Sequence, residues 1–203
     1  MIMSDVSEFK DNESMNEKMK IEEEINLDSP NSQNSTSQSS ENEEKNELKK
    51  DKILKLAKSI SDILTKIISR PIKNLKKKSL RDSFTGKSIP NISLYDYIIR
   101  ILNYTEIEEN TIISSLIYID MFDKKKQITK FNVHRIFFCS ILISLKYNED
   151  IIYKNEYYAQ VAGISLNELN TIEYEFISLL NFNLYIDYNL FNDYKQLFLN
   201  NIE

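Results

Sequence analysis

The chain is poor in the residues that punctuate a β fold. It has two glycines and three prolines in 203 residues, whereas an all-β domain needs turn residues every ten or so positions. Tryptophan is absent, and cysteine and histidine occur once each, as Cys139 and His134. One cysteine excludes an internal disulfide framework and fits a reducing compartment. One histidine and one cysteine also leave no zinc-type ligand cluster, and no glycine-rich phosphate loop exists. No apolar run approaches the ~18 residues of a membrane span, and Met1-Ile2-Met3 leads straight into acidic sequence without a signal-like pattern. The expectation is a soluble protein of the cytoplasm or nucleus, without a membrane partner or a cofactor.

What is present is segregated by charge. Residues 1–50 carry 6 basic and 13 acidic side chains, residues 51–87 carry 11 and 3, and residues 88–203 carry 9 and 15. The C-terminal part thus nets −6 and is a poor match to phosphate backbones, so no nucleic-acid partner is expected there. The abundance of Ile, Asn, Lys and Tyr fits coding bias from an AT-rich genome, which lowers the meaning of any single lysine run.

Three segments follow from the patterning. Residues 1–48 lack apolar periodicity, and Ser29–Ser40 is low-complexity polar sequence. Such sequence cannot bury enough apolar surface to offset the entropy of ordering it, so a disordered tail is expected. Residues 49–87 hold an amphipathic helix and a basic linker. Ile53, Leu56, Ile60, Ile63, Leu64, Ile67 and Ile68 recur at spacings of three and four up to Pro71, and Lys73–Arg81 (KNLKKKSLR) is basic. The stripe lacks the aromatic anchors of a membrane-surface helix, which favours docking on the neighbouring domain. Residues 88–203 read as one packed helical domain.

Within it, Ser93 caps a helix carrying Leu94, Tyr97, Ile98, Ile101 and Leu102, and a second runs from about Glu108 to Phe122. Asn132 opens a third, to about Lys146, that is apolar nearly all round, as a central helix buried by its neighbours would be. A short fourth covers Asn155–Val161 and stops at Gly163, where glycine suits a helix C-terminus. Ser165 caps a long fifth through Leu180, with Glu168 placed for a capping box, and a last helix covers Tyr188–Leu199. The fold class is all-α: an orthogonal five-helix bundle around a central third helix, with an extra N-terminal amphipathic helix and a short C-terminal one.

No catalytic site assembles from these residues. His134 and Cys139 are five positions apart on one helix, about 140° around it, which does not favour a nucleophile–base pair. His134 is read as a structural polar contact and Cys139 as a small buried hydrophobe. Charge at two places on otherwise apolar helices does stand out: Lys146 ends the third helix and Glu173 sits in the fifth. Two readings stand. Lys146 complements the helix dipole and Glu173 faces solvent, or the two frame a groove that hydrogen-bonds the free backbone groups of a partner's helix terminus.

Four segments carry a resemblance. Ser88–Ile98 (SIPNISLYDYI), Leu116–Phe122 (LIYIDMF), Phe131–Asp150 (FNVHRIFFCSILISLKYNED) and Asn155–Phe182 (NEYYAQVAGISLNELNTIEYEFISLLNF) resemble, in order and spacing, the cyclin box. The nearest branch is the PHO-type, also called P- or U-type. Its marks here are Tyr118-Ile119-Asp120, Asn132-Val133-His134-Arg135, Asn155-x-Tyr157-Tyr158-Ala159, and Asp82-Ser83-Phe84-Thr85-Gly86 followed by Ile89-Pro90-x-Ile92. The resemblance covers about residues 50–198. It implies a five-helix cyclin box and a regulatory subunit, not an enzyme, that binds a cyclin-dependent protein kinase and activates it by positioning its regulatory helix.

Carried over by motif, Lys146 and Glu173 would contact kinase backbone, with Ile143, Tyr147, Ile177 and Phe182 as apolar anchors. The Met-Arg-x-x-Leu…Trp surface by which cell-division cyclins dock substrates has no counterpart in Leu94–Arg100. The residues therefore leave substrate docking there unsupported. Ser29-Pro30 is a minimal proline-directed phosphosite. A cyclin-fold scaffold or transcription adaptor that activates no kinase is the alternative that the helices fit equally well.

Overall fold

The computed structural model of the chain describes residues 36–71, 82–86, 88–105 and 107–200, with side chains from Glu47 onward. Ser29 and the basic run Lys73–Arg81 lie outside the described residues. The chain divides into two units, Met1–Leu48 and Lys49–Glu203. Among the described residues all regular structure is helical: α1 Thr36–Ile68, α2 Leu94–Thr105, α3 Glu109–Lys125, α4 Val133–Asn148, α5 Asn155–Ala162, α6 Leu166–Leu179 and α7 Tyr188–Leu199.

α1 begins at Thr36, well upstream of Ile53 where the apolar stripe starts, so the expected tail of residues 1–48 meets a helix in its last part. The reason is cooperative: once the stripe has nucleated the helix, extending it through a stretch of mostly Glu, Lys and Asn costs little. In the second unit Leu56, Ala57, Ile60 and Leu64 are buried in the core, and Ile53, Ile63, Ile67 and Ile68 pack against it. The stripe therefore docks on the box. Ion pairs at its two ends, Lys52 to Glu109 at 3.4 Å and Arg70 to Asp123 at 2.7 Å, join it to the beginning and end of α3, so the two helices run in the same direction.

α4 is the centre. Ile136, Phe137, Phe138, Cys139, Ile141, Leu142 and Leu145 are all buried, on every side of the helix, and α2, α3, α5 and α6 pack around it. Helix starts follow local chemistry. The Ser93 hydroxyl accepts from the Asp96 amide (3.1 Å), Ser165 from the Glu168 amide (3.3 Å), and the Asp187 carboxylate from the Asn189 and Leu190 amides. Gly163, at φ +72°, ends α5 in the left-handed conformation that glycine adopts without steric cost. Asn132 precedes α4 as expected but does not cap it: its side-chain oxygen accepts from the Thr129 amide, holding the preceding turn.

The segment Asp82–Gly86 is strapped across three helices. Phe84 is fully buried, edge-on to Phe122 (5.1 Å between ring centres) and Phe176 (6.3 Å). Around it Asp82 pairs with Lys126, the Ser83 hydroxyl donates to Glu175 (2.6 Å), Arg135 donates to the Ser83 carbonyl, and the Gly86 amide donates to the Phe131 carbonyl. At Gly86 a Cβ would lie 2.9 Å from the Ser88 carbonyl oxygen, so this close turn requires glycine. Glu168 completes only half of the expected capping box, because its carboxylate pairs with Arg135 on α4 instead of turning back to the backbone.

Candidate partner-binding site

α4 and α6 cross through their buried faces, with the Cys139 thiol donating to the Ile172 carbonyl at 3.5 Å. That crossing brings the last turn of α4 beside the middle of α6. Here Lys146 Nζ donates to Glu173 Oε1 at 2.5 Å, the side chains being 28% and 14% exposed. Glu173 does not face solvent. Lys146 does sit at a helix C-terminus, where its charge suits the dipole, but it is also committed to the carboxylate. The second carboxylate oxygen is taken as well: Asn155 Nδ2, at the first residue of α5, donates to Glu173 Oε2 at 2.9 Å and to Asn170 Oδ1 at 2.7 Å.

The pair retains binding capacity. An ammonium has three hydrogens and a carboxylate about four lone-pair positions; one hydrogen and two lone pairs are used in these contacts. The remainder suit a helix terminus, whose end carbonyls or amides lack partners.

Exposed apolar residues lie near the pair in sequence. Tyr147 and Tyr174 follow the two charged residues in sequence and are exposed, and Ile151, Ile152 and Tyr153 expose the loop between α4 and α5. Phe182, 64% exposed, stands edge-on to Tyr174 with 6.2 Å between ring centres. Its backbone is left-handed (φ +57°), as is that of Asn181 before it (φ +55°). Asparagine tolerates that region; for a bulky residue it is uncommon and strained.

Of the residues expected here, Lys146 and Glu173 are joined directly, Tyr147 and Phe182 are exposed, and Ile177 is half-buried against the core. Ile143 is a correction: at 1% exposure it belongs to the core and offers no surface, because α4 stays enclosed until its final turn. Asn155 was noted in the sequence only as a helix start and part of a branch motif, not as a site residue, and Asn170 and Tyr174 were not proposed for the site. A polar residue at a helix start or on an exposed helix face carries no signal of what it meets across a crossing.

A concavity of about 880 Å³ lies between α2, the start of α4, the start of α6 and the strap, bordered by Tyr97, Arg100, Phe131, His134, Arg135 and Glu168. His134 is nearly buried, edge-on to Tyr97 (5.1 Å). Burial lowers its pKa below the ordinary 6.5, opposed by the nearby Ile92 carbonyl. Cys139 is fully enclosed, and burial pushes its thiol pKa well up, so it is inert as a nucleophile. Among the described residues no helix is long and apolar enough to cross a membrane.

A family model described as Cyclin matches residues 18–184 of the chain. Cyclin-U4-3 of Arabidopsis thaliana is 40% identical over 130 residues, which cover 63% of this chain and 59% of that protein. Cyclin-U1-1 of the same plant is 32% identical over 143 residues, 66% and 68% of the two chains. PHO85 cyclin-like protein psl1 of Schizosaccharomyces pombe is 36% identical over 120 residues, 57% and 49%. The chain spans about half to two thirds of the length of these curated relatives.

Proposed function

Since this chain belongs to the cyclin family, on its PHO-type branch, we propose that it binds a cyclin-dependent protein kinase and activates it by positioning the kinase's regulatory helix. Cyclins are regulatory proteins, and the reacting groups in this reading all belong to the kinase. The observation that carries the proposal is the Lys146–Glu173 pair, held at the crossing of α4 and α6, with the exposed rings of Tyr147 and Tyr174 next to it in sequence. Its unused hydrogens and lone pairs meet the free backbone groups of the regulatory helix and the segment before it. Tyr147, Tyr174 and Phe182 bury against that helix's apolar face. Binding the active arrangement of the kinase better than the inactive one shifts its population toward the active one.

The test is affinity purification of the chain from its source cells, followed by identification of co-purified kinases and a phosphotransfer assay. Recovery of a cyclin-dependent kinase whose activity rises on adding the pure chain supports the proposal. If no kinase is retained, activation falls and the cyclin-fold scaffold or adaptor takes its place. In the same reading Ser29, before Pro30, is a site where the bound kinase phosphorylates its own subunit. Phosphopeptide mapping of an active complex that finds Ser29 unmodified removes that part.

A further inference from the structure

We infer that Asn155 is a positioning residue for kinase binding, acting through Glu173; the inference rests on the function just proposed. A lysine ammonium is a point charge on a flexible stem, so it fixes the distance to a carboxylate but not the carboxylate's plane. Two donors on two different oxygens do fix the plane. Lys146 takes Oε1 and Asn155 takes Oε2 of Glu173. The amide of Asn155 is itself immobilised, because Nδ2 has two hydrogens and the other is used on Asn170 Oδ1. Asn170 lies one turn before Glu173 on the same face of α6, so a single amide spans both residues.

The arrangement is not explained by the needs of α5. That helix has Lys154 at its N-cap, and the Asn155 side chain reaches sideways to α6 instead of to its own backbone. Its effect is to hold the Glu173 carboxylate in one orientation before any partner arrives. Pre-organisation of this kind raises affinity by removing the entropy lost on ordering the group at the moment of binding. Asn155 contributes to association without itself touching the kinase.

The experiment measures kinase affinity by calorimetry for wild type, Asn155→Ala, Asn155→Asp and Asn170→Ala, each also in a Glu173→Gln background. Asn155→Ala is expected to weaken binding about tenfold, the order of a lost hydrogen bond to a charged group. Asn155→Asp, which sets a carboxylate against Glu173, weakens it more. Asn170 is exposed, so Asn170→Ala keeps the fold and gives a smaller loss in the same direction. In the Glu173→Gln background the loss from Asn155→Ala shrinks to under about twofold, because the partner it acts through has lost its charge. An equal loss in both backgrounds overturns the inference and leaves Asn155 a general support of α5.

A crystal structure of the free Asn155→Ala chain supplies a readout that needs no kinase. Glu173 is expected to leave its place against Lys146 or to occupy several conformers, and a carboxylate that stays put overturns the inference. If the wild type binds no kinase at all, the proposed function fails while this structural outcome still decides whether Asn155 orients Glu173.

Discussion

Exchanging the two charges, Lys146→Glu with Glu173→Lys, separates what the pair does for the fold from what it does for a partner. At 2.5 Å the gross attraction is about 7 kcal/mol for an effective dielectric of about 20. Desolvation and side-chain ordering cancel most of it. With the two side chains 28% and 14% exposed, the pair lies between the surface and buried extremes, and its net worth is about 1–2 kcal/mol. Lys146→Glu alone sets one carboxylate against another and costs about 2–3 kcal/mol, a fall in Tm of roughly 4–12 °C for a folded unit of this size.

The double exchange restores an opposite-charge pair and recovers most of that loss. About 1 kcal/mol remains lost, because a carboxylate at the C-terminal end of α4 opposes the helix dipole. Toward a kinase the exchange recovers nothing. Donors now stand where the regulatory helix needs acceptors, and the reverse, so affinity drops about 100-fold or more, as for mismatched buried charge pairs. Thermal melting followed by circular dichroism reads the first effect, and calorimetric titration with the kinase reads the second. An exchanged chain that melts near wild type and still binds with wild-type affinity refutes the reasoning, since charge direction would then be irrelevant to the interface.

Phe84→Ala removes a fully enclosed ring that lies edge-on against the stacked Phe122 and Phe176 rings. It should lower stability in urea by about 3–5 kcal/mol, with Phe84→Leu costing less than half as much; a midpoint within error of wild type would show that the strap does not depend on its plug. His134, whose pKa burial holds below 6.5, makes the folded chain bind a proton less readily than the unfolded one. Its contribution to stability is therefore constant above pH 6.5 and is lost as pH falls from 6.5 to its folded-state value. Urea midpoints across that range should flatten in His134→Gln, although Arg100 and Arg135 line the same cavity, and an unchanged slope would assign the dependence to other groups. Phe182→Gly relieves about 1 kcal/mol of left-handed strain while deleting an exposed aromatic anchor, so Tm should hold or rise as kinase affinity falls about tenfold. Parallel losses in both would place Phe182 in the fold and not the interface.

The parts of the fold legible in the sequence were those with a local cause. α4 shows as apolar on all sides because it is enclosed on all sides, and Ser93, Ser165 and Gly163 mark helix ends because their hydrogen bonds or backbone angles lie within one turn. Features set by distant contacts were not legible. Phe84 stands alone between Ser83 and Thr85 with no periodic companions, and only the packing of α3 against α6 stacks the two rings that it meets edge-on. Glu168 has the spacing of a capping box, yet Arg135 across the helix crossing offers the stronger, charge-assisted partner. The early start of α1 at Thr36 escaped a reading based on apolar spacing, because helix propagation needs no apolar residues once a nucleus exists.

The candidate site divides along the same line. Lys146 and Glu173 were visible because charge on an apolar helix is expensive unless something compensates it, but periodicity could not say what. Ile143 was carried over from the family motif as an apolar anchor, a transfer that says nothing of burial in this chain, where α4 emerges only in its last turn. The self-pairing of the two charges resolves how such a site can exist in a free chain. Left apart, a lysine and a glutamate this enclosed would cost about 2–3 kcal/mol; joined, and with Asn155 on the second oxygen, they are satisfied before any partner arrives. A partner helix then has only to add hydrogen bonds to a pair already in place, not to break it. Association should accordingly leave the α4–α6 crossing unmoved, with rearrangement confined to the exposed rings of Tyr147, Tyr174 and Phe182.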